Sequence, residues 1–219
     1  NLIVCHMGGG ITVSAHRRGR VIDTTNALDG CGPFSPERSG SLPPGPLVRL
    51  CFSGKYTEDE LIKMVHGAGG LYAHLGTTSV PEVLDRILNH DLHAMLILRA
   101  MCYTICKEIG AMATALKGDV DAILLTGGIA HSKRVTDFIA DHVDYIAPIY
   151  VYPGENELRA LAENAFAVLR GERTPKVYES TANEDPSQIN DEGRPSKLRD
   201  WLLSAITPPN GTKPMTAIR

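Results

Sequence analysis

Two glycine-rich turns and one arginine are the residues of this chain whose types and surroundings could do chemistry. His6-Met7-Gly8-Gly9-Gly10 ends one apolar run, and Leu125-Thr126-Gly127-Gly128-Ile129 ends another. Glycines at a strand end let backbone N–H groups approach an anion with no Cβ in the way. Such pairs also serve as plain turns; two of them in one small domain strengthen the case for an anion cradle. The P-loop pattern is absent. So is G-x-G-x-x-G, because Tyr72 stands where a third glycine would follow Gly67 and Gly69. A nucleotide site here would therefore use another cradle, of which a loop between antiparallel strands is one. Arg38 lies beside Glu37 and Ser39-Gly40. A guanidinium held in a stiff loop suits a phosphoryl or carboxylate group. Composition alone favours a plainer arrangement, a surface arginine paired with Glu37.

The elements that must position these residues follow from pattern. Asn1–Cys5 is apolar, 11–16 alternates apolar and polar, and 21–25 again favours strand. That predicts a three-strand meander with the first glycine turn between its first two strands. Residues 29–46 hold five prolines and four glycines, so we expect an ordered, functional loop without regular structure. Thr57-Glu58-Asp59-Glu60 is a capping box that opens a helix to about His66. Pro81 opens another to about Asn89. Residues 92–117 are apolar around the whole helical circumference, the mark of a helix buried in a core or a subunit interface. Residues 121–126 read as a strand covered on both faces. Ser132 caps a helix to about His142, 145–152 form the last strand, and 155–169 form a helix with one apolar stripe.

The chain has 219 residues and a net charge of −3, with 43% hydrophobic and 21% charged residues. This is a globular composition with enough apolar side chain for a real core. The charge balance offers no basic excess for a phosphate backbone, which argues against nucleic acid as a partner. No apolar run approaches the ~18 residues of a membrane span. The odd, scattered cysteines (5, 31, 51, 102 and 106) fit buried thiols in a reducing compartment, hence the cytoplasm. Cys102 and Cys106 could share a helix face; core packing is favoured over a zinc site, since no second Cys or His pair completes a ligand set. The chain opens on Asn1 directly into a strand, which reads as a piece of something longer. Six of the fourteen prolines and only two of the glycines fall in the last 45 residues. We therefore expect a folded domain over 1–178 and a disordered tail over 179–219, with a short amphipathic helix at 197–206.

At His6–His16, Gly19–Asp23, Asn26–Gly30, Gly32–Gly40, Thr126–Ala130 and Tyr152–Leu158 the sequence resembles the acetate kinase family, in its butyrate branch. The resemblance covers residues 1 to about 178. It implies an α/β fold of the RNase H-like, actin-like ATPase kind: a mixed sheet with a three-strand meander and flanking helices, the second of two such halves. It further implies ATP-dependent phosphorylation of a short-chain fatty acid, butyrate or isobutyrate, to an acyl phosphate. ATP/ADP and Mg²⁺ would take part, and two copies would form a homodimer. By that resemblance His6, Gly8, Gly9 and Gly10 hold the nucleotide phosphates, and Gly127, Gly128, Ile129, Ala130 and His131 pack under the adenosine. Arg38 contacts the transferred phosphoryl group, and Glu157 or Glu155 helps to hold the metal.

The family pattern is broken at two positions. Ser79 and Pro81 stand where acetate kinases carry an Asp and an Arg that touch the nucleotide, so one acceptor and one cation are lost. The resemblance also places further catalytic residues in a first half, so this chain by itself is expected to be incomplete as an enzyme. Two other readings compete. An RNase H-like nuclease needs carboxylates on its first strand to bind two metals, and residues 1–5 have none. A non-catalytic actin- or chaperone-like ATP-binding module would suit the long apolar helix but has no use for the Arg38 loop.

Overall fold

The computed structural model describes residues 1–154 and 157–175, without the side chain of Glu157. The tail over 179–219, its helix at 197–206 and Glu155 lie outside the described residues. The chain divides into two compact units, Asn1–Glu157 and Leu158–Arg219.

The first unit is built on a five-stranded sheet of order β3-β2-β1-β4-β5. Its strands are β1 (Leu2–Met7), β2 (Ile11–Arg17), β3 (Arg20–Thr24), β4 (Ala122–Gly127) and β5 (Ile149–Pro153). β1, β2 and β3 form the expected antiparallel meander. β4 and β5 then add parallel to β1. Side chains alternate across the pleat. Ile3, Cys5, Met7, Ile11, Val13, Ala15, Ile123 and Leu125 are fully buried on one face. On the other face of β4 Ala122 is buried, but Leu124 and Thr126 are only half-buried. The full cover on both faces expected for β4 is therefore not seen in the described residues.

Seven helices are described: α1 (Pro44–Cys51), α2 (Glu58–His66), α3 (Gly70–Leu75), α4 (Val80–Leu88), α5 (Leu92–Ala115), α6 (Lys133–Val143) and α7 (Glu157–Leu169). The capping box at Thr57 and Glu60 forms as expected. Two helices depart from the sequence reading. The proline-rich stretch ends in α1, whose Pro44-Gly45-Pro46 occupy its first turn. Proline is harmless there, because first-turn N–H groups have no intrahelical acceptor. The glycine run that closes α2 also opens α3, with Gly70 at φ 60°.

α5 crosses the buried face of the sheet between α4 and α6. It is not buried all round. Ala94, Ile97, Leu98, Met101, Cys102, Ile105, Ile109 and Met112 point into the core, whereas Leu92, Leu96 and Tyr103 are 54–70% exposed. Arg99 and Lys107 share that outer face. A broad stripe suffices to cover one side of a sheet, and the remaining apolar residues are exposed in the single chain.

Cys102 and Cys106 are core residues that face Cys5 on β1. Burial raises all three thiols; Cys102 is pushed up to about 12 and Cys106 to about 11. Cys31 and Cys51 are exposed, so the expectation of uniformly buried thiols does not hold.

Candidate functional site

β1 and β4 run parallel, so both glycine turns emerge at the same end of the sheet. The first turn joins Met7 to Ile11, the last pair of the β1–β2 ladder. The Gly8 N–H donates to the Gly10 carbonyl at 2.9 Å, closing the turn tightly. The second turn starts at Gly127, φ 91°, in backbone space that L side chains rarely adopt. A Cβ at Gly127 would lie 2.7 Å from the Met7 carbonyl carbon, so glycine is required for β4 to pass the end of β1.

The Arg38 loop closes over the first turn. Ser35 is completely buried. Its hydroxyl donates to the Gly9 carbonyl at 2.7 Å and accepts from the Arg38 N–H at 3.1 Å. The Glu37 N–H donates to the same Gly9 carbonyl at 3.3 Å. Behind the loop, the N–H groups of Gly69, Leu71 and Tyr72 donate to the carbonyls of Glu37, Ser35 and Pro36. The Ser39 N–H donates to the Val65 carbonyl at 2.8 Å. The stretch 35–39 is thus fixed between the glycine turn and the α2–α3 junction. The Arg38 guanidinium lies against Gly10. Among the described residues it forms no ion pair with Glu37, so the surface-pair arrangement is not the one adopted.

A cleft of about 440 Å³ opens between these pieces, a size common for small-molecule sites. Gly8, Gly9, Gly128, Ile129 and His131 line it, together with Pro36, Glu37, Thr78–Pro81 and Ser132. His6, Gly10, Arg38, Gly127 and Ala130 lie around it without lining it; Ala130 is buried and Gly127 is taken up in the approach to Met7. Glu155 and the Glu157 side chain lie outside the described residues.

Thr78–Pro81 and Ser132 form one wall of the cleft, so Ser79 and Pro81, which the resemblance sets at nucleotide-contacting positions, do reach it, whereas Ser132 was not expected there. Ser79 is the N-cap of α4, accepting from the Glu82 N–H, and Ser132 is the N-cap of α6, accepting from the Val135 N–H. Two helix N-termini therefore reach the cleft, each carrying partial positive charge suited to an anion. Ser132 was read as a cap from the sequence and Ser79 was not; their convergence depends on the sheet.

Residues 1–185 match the Acetokinase family. This chain belongs to that family. Over 178 residues the acetokinase chain is 55% identical to "Butyrate kinase 2" of Clostridium acetobutylicum, covering 81% of this chain and 50% of the relative. Over the same length it is 53% identical to "Probable butyrate kinase" of Bacteroides thetaiotaomicron, with the same coverage. The chain spans about half the length of the curated relatives it matches. Among solved structures it superposes on Porphyromonas gingivalis acetate kinase with TM-score 0.69 at 21% identity, covering 77% of this chain and 49% of that one. A propionate kinase from Francisella tularensis gives TM-score 0.65 at 21% identity, covering 72% and 47%. These likenesses show the actin-like ATPase fold that the acetokinase resemblance implied.

Proposed function

We propose that the protein carrying this chain transfers the terminal phosphoryl group of ATP to butyrate or isobutyrate, giving an acyl phosphate and ADP, and that it runs in both directions. The observation that carries this reading is the single cleft shared by both glycine turns, with the Arg38 guanidinium laid on the first of them. The names of the relatives support the same acid class.

A free carboxylate titrates near ~4 and is already ionised at neutral pH, so the acceptor needs no general base. The difficulty is bringing one anion onto another. The chain answers with positive potential: the N-termini of α4 and α6, the glycine-turn backbone at Gly8–Gly10 and the Arg38 guanidinium. His6 and Gly8–Gly10 take the phosphates in this reading, and Gly127–His131 take the adenosine. The backbone of Arg38 is held by the Ser35 hydroxyl and its loop by the α2–α3 backbone, so the base of the side chain is fixed beside the glycine turn before substrate arrives. Such preorganised charge is where most phosphoryl-transfer catalysis comes from.

Among the described residues no group of three His, Cys, Asp or Glu assembles to cage a metal. Mg²⁺ commonly uses one or two carboxylates plus the substrate phosphates. When bound it would neutralise phosphate charge, with Glu157 or Glu155 as candidate holders. We also propose a homodimer, built on the exposed face of α5. No described helix is long and apolar enough to cross a membrane; a cytoplasmic location is proposed from the free thiols.

Trapping butyryl phosphate as its hydroxamate, with ATP and butyrate supplied to the intact protein, tests the reading. Acid-dependent ADP release supports it. ATP binding or hydrolysis indifferent to the acid would favour a non-catalytic actin- or chaperone-like module. Residues 1–219 alone are expected to give no trapped product, because they span half of the relatives' length; turnover near that of the intact protein would refute this.

A further inference from the structure

Among the described residues that line the cleft, Glu37 is the one carboxylate. Its position is not accidental to a floppy loop. Its N–H donates to the Gly9 carbonyl at 3.3 Å, and its own carbonyl accepts from the Gly69 N–H at 3.0 Å. Gly69 makes the second contact possible: a Cβ there would stand 2.7 Å from the Met64 carbonyl oxygen and 3.0 Å from the Arg38 carbonyl carbon. The Glu37 backbone is therefore pinned on both sides. Its carboxylate lies over Gly9, where a Cβ would meet Oε1 at 3.2 Å and Oε2 at 3.5 Å.

No ion pair or hydrogen bond to this carboxylate forms among the described residues. Neighbouring Arg38 turns its guanidinium to Gly10 instead. A bare negative charge thus hangs over the turn that the proposed function assigns to phosphates. Glu37 is exposed, so solvent weakens but does not abolish the repulsion between two anions a few ångströms apart. A divalent cation between them reverses the sign. It also matches the usual Mg²⁺ arrangement, in which one or two protein carboxylates join the phosphates of the substrate.

We propose that Glu37 is a holder of the divalent cation that accompanies the nucleotide phosphates. The inference rests on the nucleotide reading of this cleft. It assigns a role to a residue of the Arg38 loop, so that the loop serves both the acceptor side and the metal.

Calorimetric titration of ADP into the intact protein tests this, with Mg²⁺ present and with the metal removed by chelator, for wild type and Glu37→Gln. Gln keeps the size and can still accept a hydrogen bond from a ribose hydroxyl, but it lacks the charge. In wild type Mg²⁺ should tighten ADP binding. In Glu37→Gln that advantage should shrink about tenfold or more, the scale on which metal affinity responds to losing a supporting group. Metal-free ADP should bind the variant as well as wild type, or better. Mn²⁺ titrated in the presence of ADP and followed by electron paramagnetic resonance should show the same loss. An unchanged metal advantage in Glu37→Gln overturns the proposal, as does an equal loss with and without metal, which would make Glu37 an ordinary nucleotide contact. Wild type that binds ADP in neither condition overturns the nucleotide reading itself, and the proposal with it.

Discussion

The Arg38 guanidinium rests directly on Gly10: a Cβ at position 10 would stand 2.6 Å from Arg38 Cζ. The glycine is there to give a charged side chain room, and its φ is not in the left-handed region. Gly10→Ala should therefore fold, because the group it displaces is the far end of a flexible side chain. It should also move the guanidinium off its seat. In the intact protein we expect kcat for acyl phosphate formation to fall about as far as in Arg38→Ala, roughly 10²–10³-fold, as for other lost transition-state contacts. ADP affinity should change little in Arg38→Ala. A loss confined to nucleotide affinity would make Arg38 a nucleotide ligand.

Gly127→Ala makes the opposite case. Its φ of 91° is unfavourable for any L side chain, and the atoms in the way are the backbone of Met7. Nothing can swing aside. A destabilisation of about 3 kcal/mol or more is expected, from strain plus a backbone clash. Chemical denaturation would show it as a lower midpoint; a midpoint like that of Gly10→Ala would contradict the geometry.

The thiols divide cleanly. Cys31 and Cys51 are exposed, and Cys5, Cys102 and Cys106 are buried. A thiol reagent at pH 8 should label two in the native protein and all five after denaturation. The buried thiols are raised by burial, so they keep protons that the unfolded chain has already lost above about pH 8.5. Stability is fully present below that pH and falls as pH rises toward the folded-state values. Denaturant midpoints between pH 8 and 11 should decline, and the decline should shrink when Cys102 is replaced by Ala.

Assembly turns on the outer face of α5. Leu92, Leu96 and Tyr103 stand exposed there, continued by Leu88 at the end of α4. Burying each large apolar side chain is worth ~1.5–3 kcal/mol, and a second copy presenting the same patch is the commonest way to do it. Light scattering on the 219-residue chain should give a dimer. Leu96→Glu together with Tyr103→Glu should give a monomer. A wild-type chain that remains at 23.7 kDa on dilution would refute the dimer.

Much of this fold was readable because its signals are local. Thr57 and Glu60 announce a helix start within four residues, and the glycine turn at 8–10 announces a hairpin between two short apolar runs. Pro44-Gly45-Pro46 hid α1, since proline signals a break in composition but is tolerated in a first turn. The run at 92–117 did not say which side the sheet would cover, because hydropathy counts residues without knowing that a sheet covers only one side of a helix. Arg38 was legible as a candidate, whereas its seat on Gly10 was not. That placement comes from backbone bonds between 35–39 and 65–72, and no periodicity in the sequence encodes them. Glu37 stayed hidden for the same reason: beside Arg38 in sequence, it looked like a salt-bridge partner.

The parallel pairing of β1 with β4 sets Leu2 opposite Ala122. Contacts so remote along the chain make topology slow to form, because the intervening loop must be closed before the pairing is rewarded. A chain emerging from the ribosome completes its first glycine turn long before β4 exists, so for that interval half a cleft is exposed with nothing opposite it. On the nucleotide reading, ligand can engage only after the sheet closes and thereby draws the folding equilibrium toward completion, by about 2.7 kcal/mol at a hundredfold excess over Kd. The concentration of free nucleotide then becomes one of the quantities that set how much of this protein is folded.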